Sequence, residues 1–192
     1  HDRSVSGYDI PHLLSLSWVY QLPIGKGKKY RTGSQVLNHI VGNWQVNGIA
    51  AFHSGLPYDL GVSGDIANTG NAGCCNGYYM RLNLVGDHKL SNPTPQNWFN
   101  RSAFAVPKPF TFGNLGRHSL RGDGTQNFDL SIFRQFPLGE SKRVEFRVEM
   151  FNAFNTPEYG LPDRNFSSPN FGAVLATANQ ARQVQFGLKI IF

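Results

Sequence analysis

The chain has 192 residues, with 18 Lys+Arg against 12 Asp+Glu for a net charge of +6. Charged residues make up only 16%, against roughly 25% in an ordinary soluble domain, while aromatics reach 13% with fifteen Phe. No run of about eighteen apolar residues occurs, which excludes a transmembrane helix. The 21 Gly and 11 Pro argue against long helices. Two adjacent cysteines, Cys74 and Cys75, make neither a disulfide framework nor a zinc-ligand spacing. The chain opens on His1, with no apolar signal segment after it, and reads as a processed product or a piece of a longer protein.

The dominant pattern has a period of two residues, the signature of half-buried strands. Over residues 12–22, Leu14, Leu16, Trp18, Tyr20 and Leu22 alternate with Ser15, Ser17 and Gln21. A turn beginning Pro23-Ile-Gly-Lys-Gly-Lys-Lys29 follows. Over 44–53, Trp44, Val46, Gly48, Ala50 and Phe52 oppose Gln45, Asn47 and His53. A segment of about seventy residues, rich in Gly, Asn, Pro and Ser, then runs to the third strand, with weaker strand signals near Tyr79 to Val85. Over 126–136, Phe128, Leu130, Ile132 and Phe136 oppose Asn127, Asp129, Ser131 and Gln135. A tight turn built on Pro137-Leu-Gly139 leads into 142–151, where Val144, Phe146, Val148 and Met150 oppose Arg143, Glu145, Arg147 and Glu149. A turn centred near residue 139 places Ser131 opposite Arg147. After a second long segment, residues 181–192 carry Val184, Phe186, Leu188, Ile190 and Phe192 against Gln183, Gln185 and Lys189.

These strands are longer than the usual five or six residues. Twelve residues at about 3.3 Å each cover roughly 40 Å, or about 28 Å along a membrane normal at a tilt near 45°. Short turns at one end and long loops at the other are the asymmetry of outer-membrane barrels. The fold expected is therefore all-β and antiparallel: part of a transmembrane β-barrel, with the apolar rows toward lipid and the polar rows toward a lumen. Tyr20, Trp44, Phe136 and Phe192 would form an interfacial girdle at the short-turn end. Arg134 and Arg182 break the apolar rows near strand ends, from which a long side chain can reach the interface. An odd strand count leaves the first strand without an upstream partner, so the sheet should be open, with edges at 12–22 and 181–192.

Chemistry-bearing constellations are few. The six His lack a His-x-x-x-His spacing, and no Gly-x-Ser-x-Gly elbow exists, so no enzyme, metal or cofactor is expected. Lys26, Lys28, Lys29 and Arg31 cluster without a phosphate-loop frame and read as a solvated turn rather than a nucleic-acid site. Arg121-Gly-Asp123 mimics an adhesion tripeptide but fits a turn better. Within the long segment, Trp98, Phe99, Phe104, Phe110 and Phe112 either anchor the loop or touch a ligand, anchoring being favoured because a large loop needs its own small core.

Several segments, in order, resemble the C-terminal part of the barrel in Oar-like TonB-dependent receptors. They include Trp44-Gln-Val-Asn-Gly-Ile49 with Ser54-Gly-Leu-Pro57, Trp98-Phe-Asn100, Phe112-Gly-Asn-Leu-Gly-Arg117 and Leu120-Arg-Gly122. Asp2-Arg3 with Asp9 and His12, the turn Tyr20 to Tyr30, Ser102-Ala-Phe104, Phe151-Asn-Ala-Phe-Asn155, Ser168-Pro-Asn-Phe-Gly172 and the terminus belong to the same set. The resemblance covers nearly the whole chain. It implies a 22-stranded outer-membrane transporter whose plug and TonB-contacting segment lie outside this sequence, working on a ligand the sequence does not name. The terminal residues Gln185, Gly187, Leu188, Ile190 and Phe192 resemble the β-signal read by the barrel assembly machinery, with Ile190 where an aromatic is commoner. The implied partners are outer-membrane lipid, that machinery, the plug, TonB and the ligand. The alternatives are a secreted β-sandwich binding module or adhesin, which would stay soluble without detergent, and an enzyme.

Overall fold

A computed structural model describes residues 3–25, 27–30, 33–34, 36, 40–70, 80–139 and 141–192. Cys74, Cys75, Tyr79, Lys26 and Arg31 lie outside the described residues. Five long strands carry the fold: β1 (Leu13–Gln21), β2 (Trp44–His53), β9 (Thr125–Pro137), β10 (Arg143–Phe151) and β11 (Gln183–Ile191). Six two-residue strands lie between β2 and β9: β3 (Pro57–Tyr58), β4 (Gly61–Val62), β5 (Met80–Arg81), β6 (Asn83–Leu84), β7 (Phe104–Ala105) and β8 (Leu120–Arg121). The chain divides into two compact units, each assembled from segments far apart in sequence.

The first unit comprises Leu13–His53, Thr125–Pro157 and Gln180–Phe192. It is a five-stranded antiparallel sheet in the order β1-β2-β9-β10-β11. Register locks the alternation together, because Tyr20, Val46, Ile132, Val148 and Phe186 are successive cross-strand partners on the apolar face. On the other face Asn47, Ser131, Glu149 and Gln185 form the matching row. A slip of one residue would exchange both rows, so the pattern specifies the register strongly. The β9–β10 register pairs Ser131 with Glu149 and Arg147 with Phe133. The sequence expectation of Ser131 opposite Arg147 is thus corrected by two residues, a shift that leaves every side chain on its expected face. The turn is two residues longer on the β10 side: the Leu138 N–H donates to the Lys142 carbonyl at 2.8 Å, and Gly139 takes a φ of 121° that a side chain would oppose.

Both sheet edges are open among the described residues, with β1 and β11 each paired on one side only. All nine residues of β1 are exposed. On the apolar face the Trp18 indole lies flat over Gly48, its register partner. A Cβ at Gly48 would come within 2.1 Å of that ring. Gly48→Ala should therefore expel the indole and destabilise the sheet by about 1–3 kcal/mol, read as a lower urea midpoint and an altered Trp emission spectrum.

At the long-loop end of β10, Phe151-Asn-Ala-Phe-Asn155 forms a hydrogen-bonded turn. Asn152 and Asn155 take left-handed φ values of 47° and 53°, which Asn tolerates better than most residues. The Asn152 amide group donates to the Thr156 and Gln180 carbonyls at 3.1 and 3.0 Å, and its oxygen accepts the Thr156 N–H at 2.9 Å. Asn155 accepts the Arg182 N–H at 2.9 Å, tying the turn to the approach to β11.

The second unit comprises His1–His12, Ser54–Gly124 and Glu158–Asn179. Its core gathers Tyr58, Leu60, Val62, Leu82, Phe99, Ala103, Phe104, Leu115, Leu120 and Phe171. The short strands pair β3 with β8, β4 with β5 and β6 with β7, and they hold loop rather than build a sheet. Each buried Leu or Phe contributes about 1.5–3 kcal/mol of transfer free energy, enough for a long connection to keep one conformation. Backbone meets backbone where Gly55 passes Gly122: a Cβ on Gly55 would lie 2.0 Å from the Gly122 carbonyl oxygen. That contact explains the glycine in Ser54-Gly-Leu-Pro57, while at Gly122 a Cβ would stand 2.7 Å from Leu161 Cδ2.

Candidate functional site

The centre of the sheet's polar face is a connected network. Arg147 Nη2 lies 2.7 Å from Glu145 Oε1, and its Nη1 lies 3.3 Å from Glu149 Oε1. Gln135 Nε2 donates to Glu145 Oε2 at 3.0 Å, and Gln185 donates to Glu149. Further along the face, Gln45 donates to Asn47 and Asn127 donates to Asp129. Phe133 stands on this face as well, and the Arg147 guanidinium sits 5.6 Å from its ring centroid. At the short-turn end a cavity of about 250 Å³ is lined by Gln21, Lys28, Asn43, Trp44, Gln45, Phe133, Arg134 and Gln135. Its lining holds amides and cations and no carboxylate. Lys28 Nζ donates to Gln21 Oε1 there at 2.9 Å.

The apolar face carries aromatics at both ends. At the short-turn end Trp44 packs edge-on against Phe146 at 6.4 Å. At the other end Phe128 meets Phe52 at 5.3 Å and Phe154 at 5.0 Å, both edge-on. The sequence reading named only the first of these belts. From Phe128 to Phe136, eight residues at about 3.3 Å each span about 26 Å along the strand, or about 20 Å after a tilt near 40°. Two belts at that separation, bounding an aliphatic band, match the lipid-facing wall of an outer-membrane barrel. The residues between them on β11 are open, with Phe186 71% and Leu188 70% exposed.

Arg134 departs from its sequence expectation. Rather than extending to the interface, it is 3% exposed. Its guanidinium lies 4.4 Å from the Phe136 ring centroid and 5.9 Å from that of Trp44. Arg134 Nη1 and Trp44 Nε1 both donate to the Ile40 carbonyl, at 2.7 and 2.9 Å. A carbonyl and two rings thus shield the charge that alternation would otherwise present to lipid.

The terminal residues Gln185, Gly187, Leu188 and Ile190 all lie in edge strand β11, with Phe192 just beyond it and 90% exposed. Gln185 and Gly187 share the polar face, while Leu188 and Ile190 share the apolar one. Packing does not demand Gly187, because a Cβ there would make only an ordinary 3.8 Å contact with Arg147 Cβ.

In the loop unit the five aromatic candidates separate. Phe99 and Phe104 are buried, 5.3 Å apart, and each packs against Phe171, at 5.2 and 6.2 Å. Trp98 lies against this core and edge-on to Tyr159 at 5.7 Å. These three hold the loop, and neither Phe99 nor Phe104 has the surface a ligand contact needs. Phe110 and Phe112 are 76% and 67% exposed. Phe110 takes a left-handed φ of 63°, an outlier for a bulky residue, and its N–H donates to the Ile66 carbonyl at 2.7 Å. Burial pushes the Tyr58 hydroxyl far above its ordinary pKa, with the Arg164 charge only partly opposing the rise. The Arg121-Gly-Asp123 tripeptide is occupied within the fold. Arg121 pairs with Asp9, while Asp123 accepts the Gly124 and Tyr159 N–H groups at 3.0 and 3.1 Å.

Nothing in the two long segments signalled which aromatics would be buried, since their core comes from residues spaced irregularly over more than a hundred positions. Among the described residues no group of three or more His, Cys, Asp or Glu is placed to hold a metal. No curated protein and no solved structure matched the chain. A family model described as an outer membrane beta barrel domain matches residues 1–185. With that match over nearly the whole chain, and a two-faced antiparallel sheet bounded by aromatic belts, the chain belongs to the outer membrane beta barrel domain family and resides in the outer membrane.

Proposed function

We propose that this barrel segment is part of a TonB-dependent transporter of the Oar-like kind. Its sheet forms barrel wall, and its loop unit presents the ligand-binding surface for energised transport. The observation that carries the reading is the loop unit itself: a connection with its own buried aromatic core, holding Phe110 and Phe112 in solvent. Support also comes from Ser54-Gly-Leu-Pro57 and Leu120-Arg-Gly122, motifs of the resemblance that meet at one backbone contact. The polar face, with its Glu145–Arg147–Glu149 row, suits a water-filled lumen that seats a plug. Gln185, Gly187, Leu188, Ile190 and Phe192 serve the assembly machinery through the open edge of β11, because an unpaired edge is a template for another strand. The reading gives the chain no catalytic step, no cofactor and no nucleic-acid partner.

Two measurements on the full-length protein test this. Immobilised TonB periplasmic domain should retain the detergent-solubilised protein, and failure to do so under conditions that retain a known TonB-dependent receptor contradicts the transport reading. Deleting residues 60–100 should spare outer-membrane insertion while removing ligand-driven uptake. Loss of insertion instead would make the loop unit an assembly element.

A further inference from the structure

The cavity at the short-turn end of the sheet is lined by two cations that have no acid beside them. All eight lining residues belong to the first unit. Arg134 is 3% exposed, and its Nε is buried without a hydrogen-bond partner among the described residues. Its Nη1 donates to a neutral acceptor, the Ile40 carbonyl, at 2.7 Å. Lys28 Nζ likewise donates to a neutral acceptor, Gln21 Oε1, at 2.9 Å. Neither cation forms an ion pair among the described residues, whereas Arg121 and Arg147 each hold a carboxylate.

A buried cation without a counter-charge is costly, and native proteins pair such charges. The acid across the strand from Gln135 does not serve. Glu145 Oε1 lies 2.7 Å from Arg147 Nη2, and its Oε2 accepts from Gln135. The lining adds neutral donors to the two charges. Gln21 meets Lys28 through its oxygen, which leaves its amide nitrogen to donate elsewhere. Gln45 and Gln135 each commit Nε2 once, to Asn47 and Glu145, and a primary amide nitrogen carries two N–H groups. About 250 Å³ is ample for a tetrahedral anion together with several waters.

We propose that this cavity is an oxyanion site that takes a phosphate group, with Lys28 and Arg134 supplying the counter-charge and Gln21, Gln45 and Gln135 the neutral donors. Ammonium and guanidinium groups are the side chains that recognise phosphate oxygens, the first as a point charge and the second as a planar fork. The group comes from solution or from a phospholipid headgroup. Trp44 of the aromatic belt also lines the cavity, so a headgroup at that interface is a second source of the same chemistry.

Calorimetric titration of the full-length protein with inorganic phosphate, at low salt in a detergent free of phosphate groups, tests the site. Binding should be saturable, and Lys28→Gln should weaken it about tenfold, the effect of losing one charge-assisted hydrogen bond. Gln45→Glu should abolish it, because an acid in the lining then answers the two cations. Lys29→Gln should leave it unchanged, since Lys29 sits 5.4 Å from the Tyr30 ring centroid and does not line the cavity. Heat-modifiable migration of each variant shows that it is folded. Added short-chain phosphatidylglycerol separates the sources: displacement of bound phosphate assigns the site to headgroups, and no displacement assigns it to the free anion. No saturable binding beyond a sodium chloride control, or binding that survives Lys28→Gln undiminished, would overturn the proposal.

Discussion

Val148→Arg should block stable insertion of the barrel. Val148 sits midway along β10, between Ile132 and Phe186 on the apolar face. A cation on the lipid face near the midplane of a membrane barrel costs about 2–4 kcal/mol, and no carboxylate shares that face between the aromatic belts. Ser131→Arg provides the control. Ser131 lies opposite Glu149 on the polar face, so the new charge meets an acid and water. Heat-modifiable migration of the folded barrel and its urea midpoint should drop sharply for the first variant and little for the second. Equal losses would mean that the two faces do not have different surroundings.

Phe99→Ala should have the second large effect, and it should be confined to the loops. Phe99 is 3% exposed and touches the rings of Phe104 and Phe171. Removing a buried Phe side chain costs about 3–5 kcal/mol, more than a small satellite core can lose and stay ordered. Limited proteolysis should then cleave within residues 54–124, while the sheet remains resistant. Phe110→Ala should leave protease resistance unchanged, because its ring contributes no buried contact to that core.

The five long strands were legible because the pattern that specifies them is local. Val144, Phe146, Val148 and Met150 against Arg143, Glu145, Arg147 and Glu149 leaves no other period to fit, and β10 runs over the expected residues. The expected β9–β10 register was two residues away from that observed. Turn geometry sets register, and a turn of Pro-Leu-Gly composition accommodates either length. The error kept all faces correct because the period is two. The open edges at β1 and β11 followed from counting strands.

The loop unit was opaque for a different reason. Its strands are two residues long, too short for any period to show, and Leu60, Leu82, Leu115 and Phe171 meet across long stretches of chain. Phe99 and Phe110 are alike in sequence and opposite in environment. Glycine at a close approach does not separate them either: Gly55 and Gly113 each meet a backbone oxygen within about 2.2 Å of where a Cβ would stand, yet Gly113 stands next to the exposed Phe112. Such positions mark packed loop, although sequence alone cannot say which strand of backbone passes there. Arg134 was misjudged because its shield is a backbone carbonyl, which no side-chain pattern records.

The central claim is that the two faces of one strand meet lipid and water in strict alternation. The most direct measurement places a single spin label at each position from 144 to 149 in the full-length protein, with Cys74 and Cys75 replaced by Ser, reconstituted in bilayers. Accessibility to oxygen should peak at 144, 146 and 148, and accessibility to a water-soluble nickel chelate should peak at 145, 147 and 149. Profiles without a two-residue period, or with the two probes exchanged, would contradict the account.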